Sequence, residues 1–339
     1  MEAEKKEIDY SVAIPAYAPA ALVKDTVRSA LAQRFPTEMR WEIVVNDDAW
    51  EHPLAPQLAE FGDAVRVYRN ERNLGYARNF LRTVSLARGQ WVHVLHSDDL
   101  VHPIYAAQVW ELSRKDTQLG FIHSALGSIG KPPRILARLG SWILGPKRNE
   151  QPEKNLGIQV FEAGLVGARH VLRWGAKAPT LVVRRDLILS LGGYAEDLDV
   201  VADEEFVVRL AMITRQAYIP QARVFYRRRP EQASRQSWLR DDFVDLYYKC
   251  HLRNLEHLGA AAEPEDREAV HRRVAGGAVA SAGAHFLKGN RDRAVAMLGR
   301  ARALWPPIVE NRTYRLWETL VKYPLIGWSY RVAYRMGWL

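Results

Sequence analysis

Residues 91–99 read Trp91-Val92-His93-Val94-Leu95-His96-Ser97-Asp98-Asp99. The run to Leu95, rich in β-branched and aromatic residues, predicts a short buried strand, and two adjacent carboxylates follow it closely. In an open α/β sheet, ligands lie in the crevice beyond the carboxyl ends of the strands. At least one of Asp98 and Asp99 should face that crevice. Carboxylate oxygen with positions open to phosphate suits Mg²⁺ or Mn²⁺. Taken alone, the same pair also fits a surface turn or the cap of a helix beginning near Pro103.

Working outward, further strands are expected at Ser11–Pro15, Glu42–Asn46, Val65–Tyr68, Thr180–Val183 and Val224–Tyr226. Helices are expected at Ala20–Gln33, Leu74–Ala87, Arg185–Leu191 and from about Asp203. Short apolar strands alternating with amphipathic helices predict a parallel sheet covered by helices. Lys131 to Lys154 is rich in Pro, Gly, Lys and Arg and reads as a loop or lid. From about Arg235 the chain reads as helical, broken at Gly259–Pro264, Gly289–Asn290 and Pro306–Pro307. The expected division is an α/β domain over 8–234 and a helical region over 235–339.

The chain has 339 residues, 48% of them hydrophobic, enough for a substantial core. A formal charge of +9 favours an acidic partner: nucleic acid, an anionic membrane or a phosphorylated substrate. No nucleic-acid-binding motif accompanies the scattered basic residues, so nucleic acid is not the expected partner. Cys250 is the only cysteine, which excludes an intramolecular disulfide and fits a cytoplasmic setting. The charged start, Met1 to Glu7, has no signal-peptide apolar stretch, and Val274–Leu287 is too short and too rich in Gly and Ala to span a bilayer. Any membrane contact is expected to be peripheral, at the inner face of the membrane. The tail from Trp305 carries four of the eleven tryptophans with an excess of basic residues. It fits an interfacial helix on an anionic membrane, or aromatics packed within the helical region.

Several groups should share the crevice with the acidic turn. Asp47 ends the second strand, where a carboxylate meets a nucleobase or ribose; an ordinary Asx turn is the alternative. Asn73-Leu74-Gly75-Tyr76-Ala77-Arg78-Asn79 opens a helix whose free N–H groups favour anions, with Arg78 placed to meet a phosphate. Asp203-Glu204-Glu205 opens another helix and supplies either caps or a general base. One arginine of Arg227-Arg228-Arg229 is a candidate diphosphate clamp.

The order of these motifs resembles the family 2 glycosyltransferases of GT-A fold. It runs from Ile14-Pro15-Ala16-Tyr17 through Val44-Val45-Asn46-Asp47-Asp48-Ala49, Asn73-Leu74-Gly75 with Arg78-Asn79, and His96-Ser97-Asp98-Asp99 to Gly192-Gly193-Tyr194 and Asp203-Glu204-Glu205-Phe206. The resemblance covers roughly residues 8–235. It implies a GT-A, Rossmann-like, mostly parallel sheet flanked by helices, with 8–234 as the nucleotide-sugar-binding catalytic domain and 235–339 as a C-terminal helical appendage, membrane-associating or acceptor-binding. It also implies inverting transfer of a hexosyl group from a nucleotide sugar, a UDP-sugar favoured, to a hydroxyl acceptor such as a lipid-linked glycan. The pathway would be glycan, glycolipid or secondary-metabolite biosynthesis. Carried onto this chain, the nucleotide-sugar site comprises Pro15, Tyr17, Asp47, Asn73, Gly75, Arg78, Asn79, Ser97, Asp98 and Arg229. Asp98 is the ligand for Mn²⁺ or Mg²⁺, and Asp203 is the base. His96 replaces the first acid of the family's DxD motif, and Arg229 stands where relatives often carry histidine. Those departures keep open a non-catalytic or nucleotide-binding protein that retains the fold. A nucleotidyltransferase would need a basic, Gly-rich loop after the first strand, which Ala16-Tyr17-Ala18-Pro19-Ala20 lacks.

Overall fold

The computed structural model describes residues 7–129, 157–227 and 236–335. Arg229 and the expected lid at Lys131–Lys154 lie outside the described residues. The described residues form two compact units, one built from 7–129 and 157–227, the other from 236–335.

The first unit is organised by β1 (Tyr10–Ala16), whose residues are almost all buried. Strands buried on both faces read as near-continuous apolar runs, and this one is interrupted only by Ser11. β1 pairs in parallel with β2 (Trp41–Asp47) on one side and β4 (Trp91–Val94) on the other, and β2 pairs in parallel with β3 (Arg66–Arg69). The chain thus runs outward through β2 and β3, then returns to the opposite side of β1. That reversal is a topological switch point, where an open sheet leaves a crevice. Register brings Ala16, Asp47 and Arg69 to one level at the carboxyl edge.

Beyond β4 the sheet changes character. β8 (Val182–Arg184) lies antiparallel between β4 and β6 (Leu119–Ile129), and β6 pairs in parallel with β9 (Arg215–Arg227). β9 gives its other edge to two short antiparallel partners, β7 (Gln159–Phe161) near its start and β5 (Leu100–Val101) near its end. The fully parallel arrangement therefore belongs to the β3-β2-β1-β4 block. Helix Ala20–Leu31 covers the sheet with Val23, Thr26, Val27 and Ala30 at helical spacing. Val23, Val27 and Ala30 join Ile14, Ile43, Val45, Leu95 and Ile122 in one core.

β6 escapes sequence reading because glycines interrupt its apolar pattern. Both sit where another group lies close. A Cβ at Gly127 would come within 2.5 Å of the Phe225 ring, and one at Gly120 would collide with the Thr214 side chain.

The second unit is helical, with helices at Phe243–Leu258, Pro264–Lys288, Arg291–Leu304, Arg312–Lys322 and Pro324–Arg335. Glu263 and Asp266 form a reciprocal capping box that starts the longest helix. Gly289 ends it at φ 94°, a left-handed cap that allows the next helix to fold back. Among the described residues no helix is long and apolar enough to cross a membrane.

At the amino edge of the sheet, Gly89 donates its N–H to Ser11 Oγ at 2.8 Å. A Cβ there would lie 2.6 Å from the Ser11 backbone nitrogen and 2.8 Å from the Tyr10 carbonyl carbon. Backbone cannot rotate away, so Gly89→Ala should lower stability by about 1–3 kcal/mol, read as a lower urea midpoint. An unchanged midpoint would refute this close-packing assignment.

Candidate active site

The acidic turn is held by its backbone. Leu95 N–H continues the ladder to Ala13 O at 3.0 Å, and Asp99 N–H returns to His96 O at 3.1 Å. Asp99 is fully buried. Its Oδ1 accepts from Arg227 N–H at 3.0 Å, and its carbonyl accepts from Thr26 Oγ at 2.9 Å. The Arg227 guanidinium donates to Asp98 O at 3.1 Å and pairs with Asp25 at 3.1 Å. Arg227, a candidate phosphate clamp in the sequence, here braces the turn. Ser97 is buried and Asp98 only partly so. Burial holds His96 below its ordinary pKa against the opposing pull of Asp98, and its ring stands edge-on to Tyr76 at 6.2 Å.

Asp47 is also fully buried. Its carboxylate accepts from Trp50 N–H at 2.8 Å and Leu54 N–H at 3.1 Å, and pairs with Arg69. It shapes the turn after β2. Tyr17, 56% exposed, meets Trp50 edge-to-face at 5.0 Å beside that turn. Pro15 is half-buried within β1, opposite Asn46.

Asp48 sets the entry to helix Tyr76–Leu86 by accepting from Leu74 N–H at 2.8 Å, Gly75 N–H at 3.1 Å and Asn70 Nδ2 at 2.7 Å. Asn73 accepts from Gly75 N–H at 2.9 Å, and Gly75 takes φ 81°, a value that favours glycine. Asn79 points inward, where its amide oxygen accepts from Asn46 at 2.7 Å and Asn70 at 3.1 Å. Exposed Arg78 pairs with Glu196 at 2.7 Å.

The three acids of helix Ala202–Ile213 have separate environments. Glu205 forms a two-pronged ion pair with Arg209, at 2.8 and 2.9 Å. The same guanidinium donates to Leu191 O at 2.7 Å and Gly193 O at 2.8 Å, clamping the Gly192-Gly193 turn. Glu204 lies 3.8 Å from Lys177. Asp203 lies within electrostatic reach of Tyr76 and Tyr194, whose rings meet at 5.3 Å. Burial and the charge of Glu204 raise its pKa, with Lys177 opposing. Tyr194 stacks on Phe80 at 3.7 Å, which seats this wall of the site.

A continuous neighbourhood therefore runs from Asp98 through His96 and Tyr76 to Asp203. Tyr76 and Tyr194 are the residues whose role the sequence concealed, although both stand inside quoted motifs. Asp48 and the Glu205–Arg209 pair were also missed; only the i,i+4 spacing of the latter was visible.

Residues 11–171 match the family model for glycosyl transferase family 2. The resemblance read from the motifs is borne out over this family 2 segment. An uncharacterized protein of Mycobacterium tuberculosis is 28% identical over 219 residues, covering 62% of this chain and 64% of that protein. An uncharacterized glycosyltransferase of Haemophilus influenzae is 20% identical over 200 residues, 59% of this chain and 61% of its own length. The chain thus spans somewhat less than two thirds of these relatives. In three dimensions it resembles Staphylococcus aureus TarS 1-349 in complex with UDP-GlcNAc, with a TM-score of 0.60, 17% identity and coverage of 97% of this chain and 92% of that one. It also resembles the mannosyltransferase PcManGT from Pyrobaculum calidifontis in complex with GDP-Man and Mn²⁺, with a TM-score of 0.52, 18% identity and coverage of 97% and 88%. These likenesses show the fold, which is of GT-A type.

The raised pKa of Asp203 has a thermodynamic signature. The folded protein favours its neutral form, so its contribution to stability is present at low pH and lost as pH rises through the folded pKa. Asp203→Asn should therefore raise the thermal midpoint at pH 8 and have little effect at pH 4. Equal effects at both pH values would contradict a raised pKa.

Proposed function

We propose that this chain is an inverting glycosyltransferase that moves a hexosyl group from a nucleoside-diphosphate sugar to a hydroxyl acceptor. The observation that carries the reading is the neighbourhood joining Asp98 to Asp203 at the carboxyl edge of a sheet whose sequence matches family 2. Asp203 takes the proton of the acceptor hydroxyl as that oxygen bonds to the anomeric carbon. The bond from that carbon to the diphosphate oxygen breaks, its electron pair leaves with the nucleoside diphosphate, and attack from the opposite face inverts the configuration. Tyr76 and Tyr194 hold Asp203 in a partly dehydrated setting, which matches its proton affinity to the task.

Tyr17 and Trp50 provide an aromatic surface for the base, and Asp47 fixes the turn that carries Trp50. Asp48 and Asn73 take the N–H groups of Leu74 and Gly75 and so set the start of helix Tyr76–Leu86, whose first-turn N–H groups favour phosphate. Among the described residues no group of three or more acids, histidines or cysteines could hold a metal by itself. A single partly exposed carboxylate, Asp98, fits a Mn²⁺ or Mg²⁺ shared with the diphosphate. Such a cation would neutralise charge on the leaving group. The complexes of TarS with UDP-GlcNAc and of PcManGT with GDP-Man and Mn²⁺ support donor and cation of these classes. A UDP-sugar is the favoured donor, and a lipid-linked glycan at the cytoplasmic face of a membrane is the favoured acceptor. Helix Pro324–Arg335, with Leu325 84% and Trp328 60% exposed, supports peripheral membrane contact.

Calorimetry with UDP and Mn²⁺ tests the donor half. Asp98→Asn should weaken metal-dependent binding about tenfold or more, the scale of one lost charge-assisted contact. If metal enhances binding of none of UDP, GDP or TDP, the role of Asp98 fails. Asp203→Asn should leave UDP binding intact and abolish transfer. In the unmodified enzyme the acid limb of kcat/KM should lie above the ordinary carboxylate value of about 4. Full transfer by Asp203→Asn would eliminate it as the base. Nucleotide binding without transfer to any acceptor would favour the non-catalytic alternative that His96 keeps open.

A further inference from the structure

The helical unit contains a cavity of about 470 Å³ among its described residues. That volume falls within the range of roughly 300–1,000 Å³ typical of small-molecule pockets. Ala280, Gly283 and Ala284 of helix Pro264–Lys288 form its floor, and Trp238, Trp317 and Tyr334 form its walls. The floor is open because its side chains are small, and the walls are pinned. A Cβ at Gly283 would lie 2.6 Å from the Trp317 ring, so the indole rests directly on the helix backbone. Ser281 Oγ donates to Trp238 O at 2.6 Å and ties the opposite wall to the same helix. Tyr330 stands edge-on to Trp317 at 6.0 Å.

The chemistry of the lining selects the occupant. Leu239 and Leu287 complete a mainly apolar interior, and the Gln236 amide and Lys288 ammonium are the conspicuous polar ends. A sugar would bring several hydroxyl groups and find too few partners for them. A hydrocarbon chain needs none, and an anionic headgroup would meet exposed Lys288. The helix that supplies Tyr334 also exposes Leu325 and Trp328, apolar residues suited to the acyl boundary of a bilayer. We infer that this cavity takes one acyl chain of an anionic membrane lipid, with its headgroup at Lys288. The inference goes beyond sugar transfer and does not depend on Asp203 or Asp98.

The test uses the full chain and heavy-atom quenching of tryptophan by phosphatidylglycerol vesicles with brominated acyl chains. Saturable quenching is expected, smaller in amplitude for Trp238→Phe and Trp317→Phe. Ala284→Phe, which fills the floor, should remove that component. Lys288→Gln should weaken the interaction about tenfold, as loss of one charged contact does, while leaving the plateau unchanged. If Ala284→Phe fails to fold, the two tryptophan variants still decide. Wild-type quenching in both would overturn the site, as would non-saturable quenching or a folded Ala284→Phe that behaves like wild type. Free dibromostearate and a soluble oligosaccharide series serve as further arms. Binding of the free amphiphile without vesicles would overturn the bilayer source, and binding of oligosaccharide alone would overturn the acyl chain.

Discussion

The hydrogen bond from Arg227 N–H to buried Asp99 is the fastening on which the site depends. A buried carboxylate is costly without hydrogen bonds to its charge, so the turn after β4 is stabilised where the end of β9 meets it. Through Asp99, three elements distant in sequence converge: the acidic turn, the last residue of β9, and Thr26 of the first helix. Asp98 inherits its position from this arrangement. The neighbouring carboxylates differ in burial, Asp99 being fully enclosed by the fold and Asp98 partly exposed.

The same division recurs across the site. Asp47 and Asp48 are both buried, and their carboxylates organise turns by collecting backbone N–H groups. Glu205 is neutralised by an arginine that also clamps a glycine turn, whereas Asp203, two residues earlier, keeps a raised proton affinity. Satisfied polar networks of this kind are stiff, because each lost contact strands a buried group. They fix the turns at the carboxyl edge of the sheet.

Much of this was legible in the sequence for physical reasons. The buried parallel strands are mostly apolar, interrupted by Ser11, Glu42 and His93, and strand ends followed by acids mark a carboxyl edge, so β1, β2, β4 and the acidic turn could be read directly. Strand β6 could not, because its glycines answer to the Thr214 and Phe225 side chains, which lie far along the chain. Asn79 looked like a ligand contact by resemblance, yet it faces Asn46 and Asn70. A helix position carries no sign of which polar face is inward when the partners are themselves polar. Tyr76 and Tyr194 were hidden for the opposite reason, since their meeting beside Asp203 depends on tertiary packing.

The two edges of β9 also bear on how the chain can be cut. β6 and β5, both from 7–129, pair with β9 along its two edges, so the stretches 7–129 and 157–227 are joined by sheet hydrogen bonds as well as by peptide linkage. New termini placed between them would leave both ladders intact. The two stretches of the first unit are thus held together by more than the chain between them, the condition for reassembly from two coexpressed fragments.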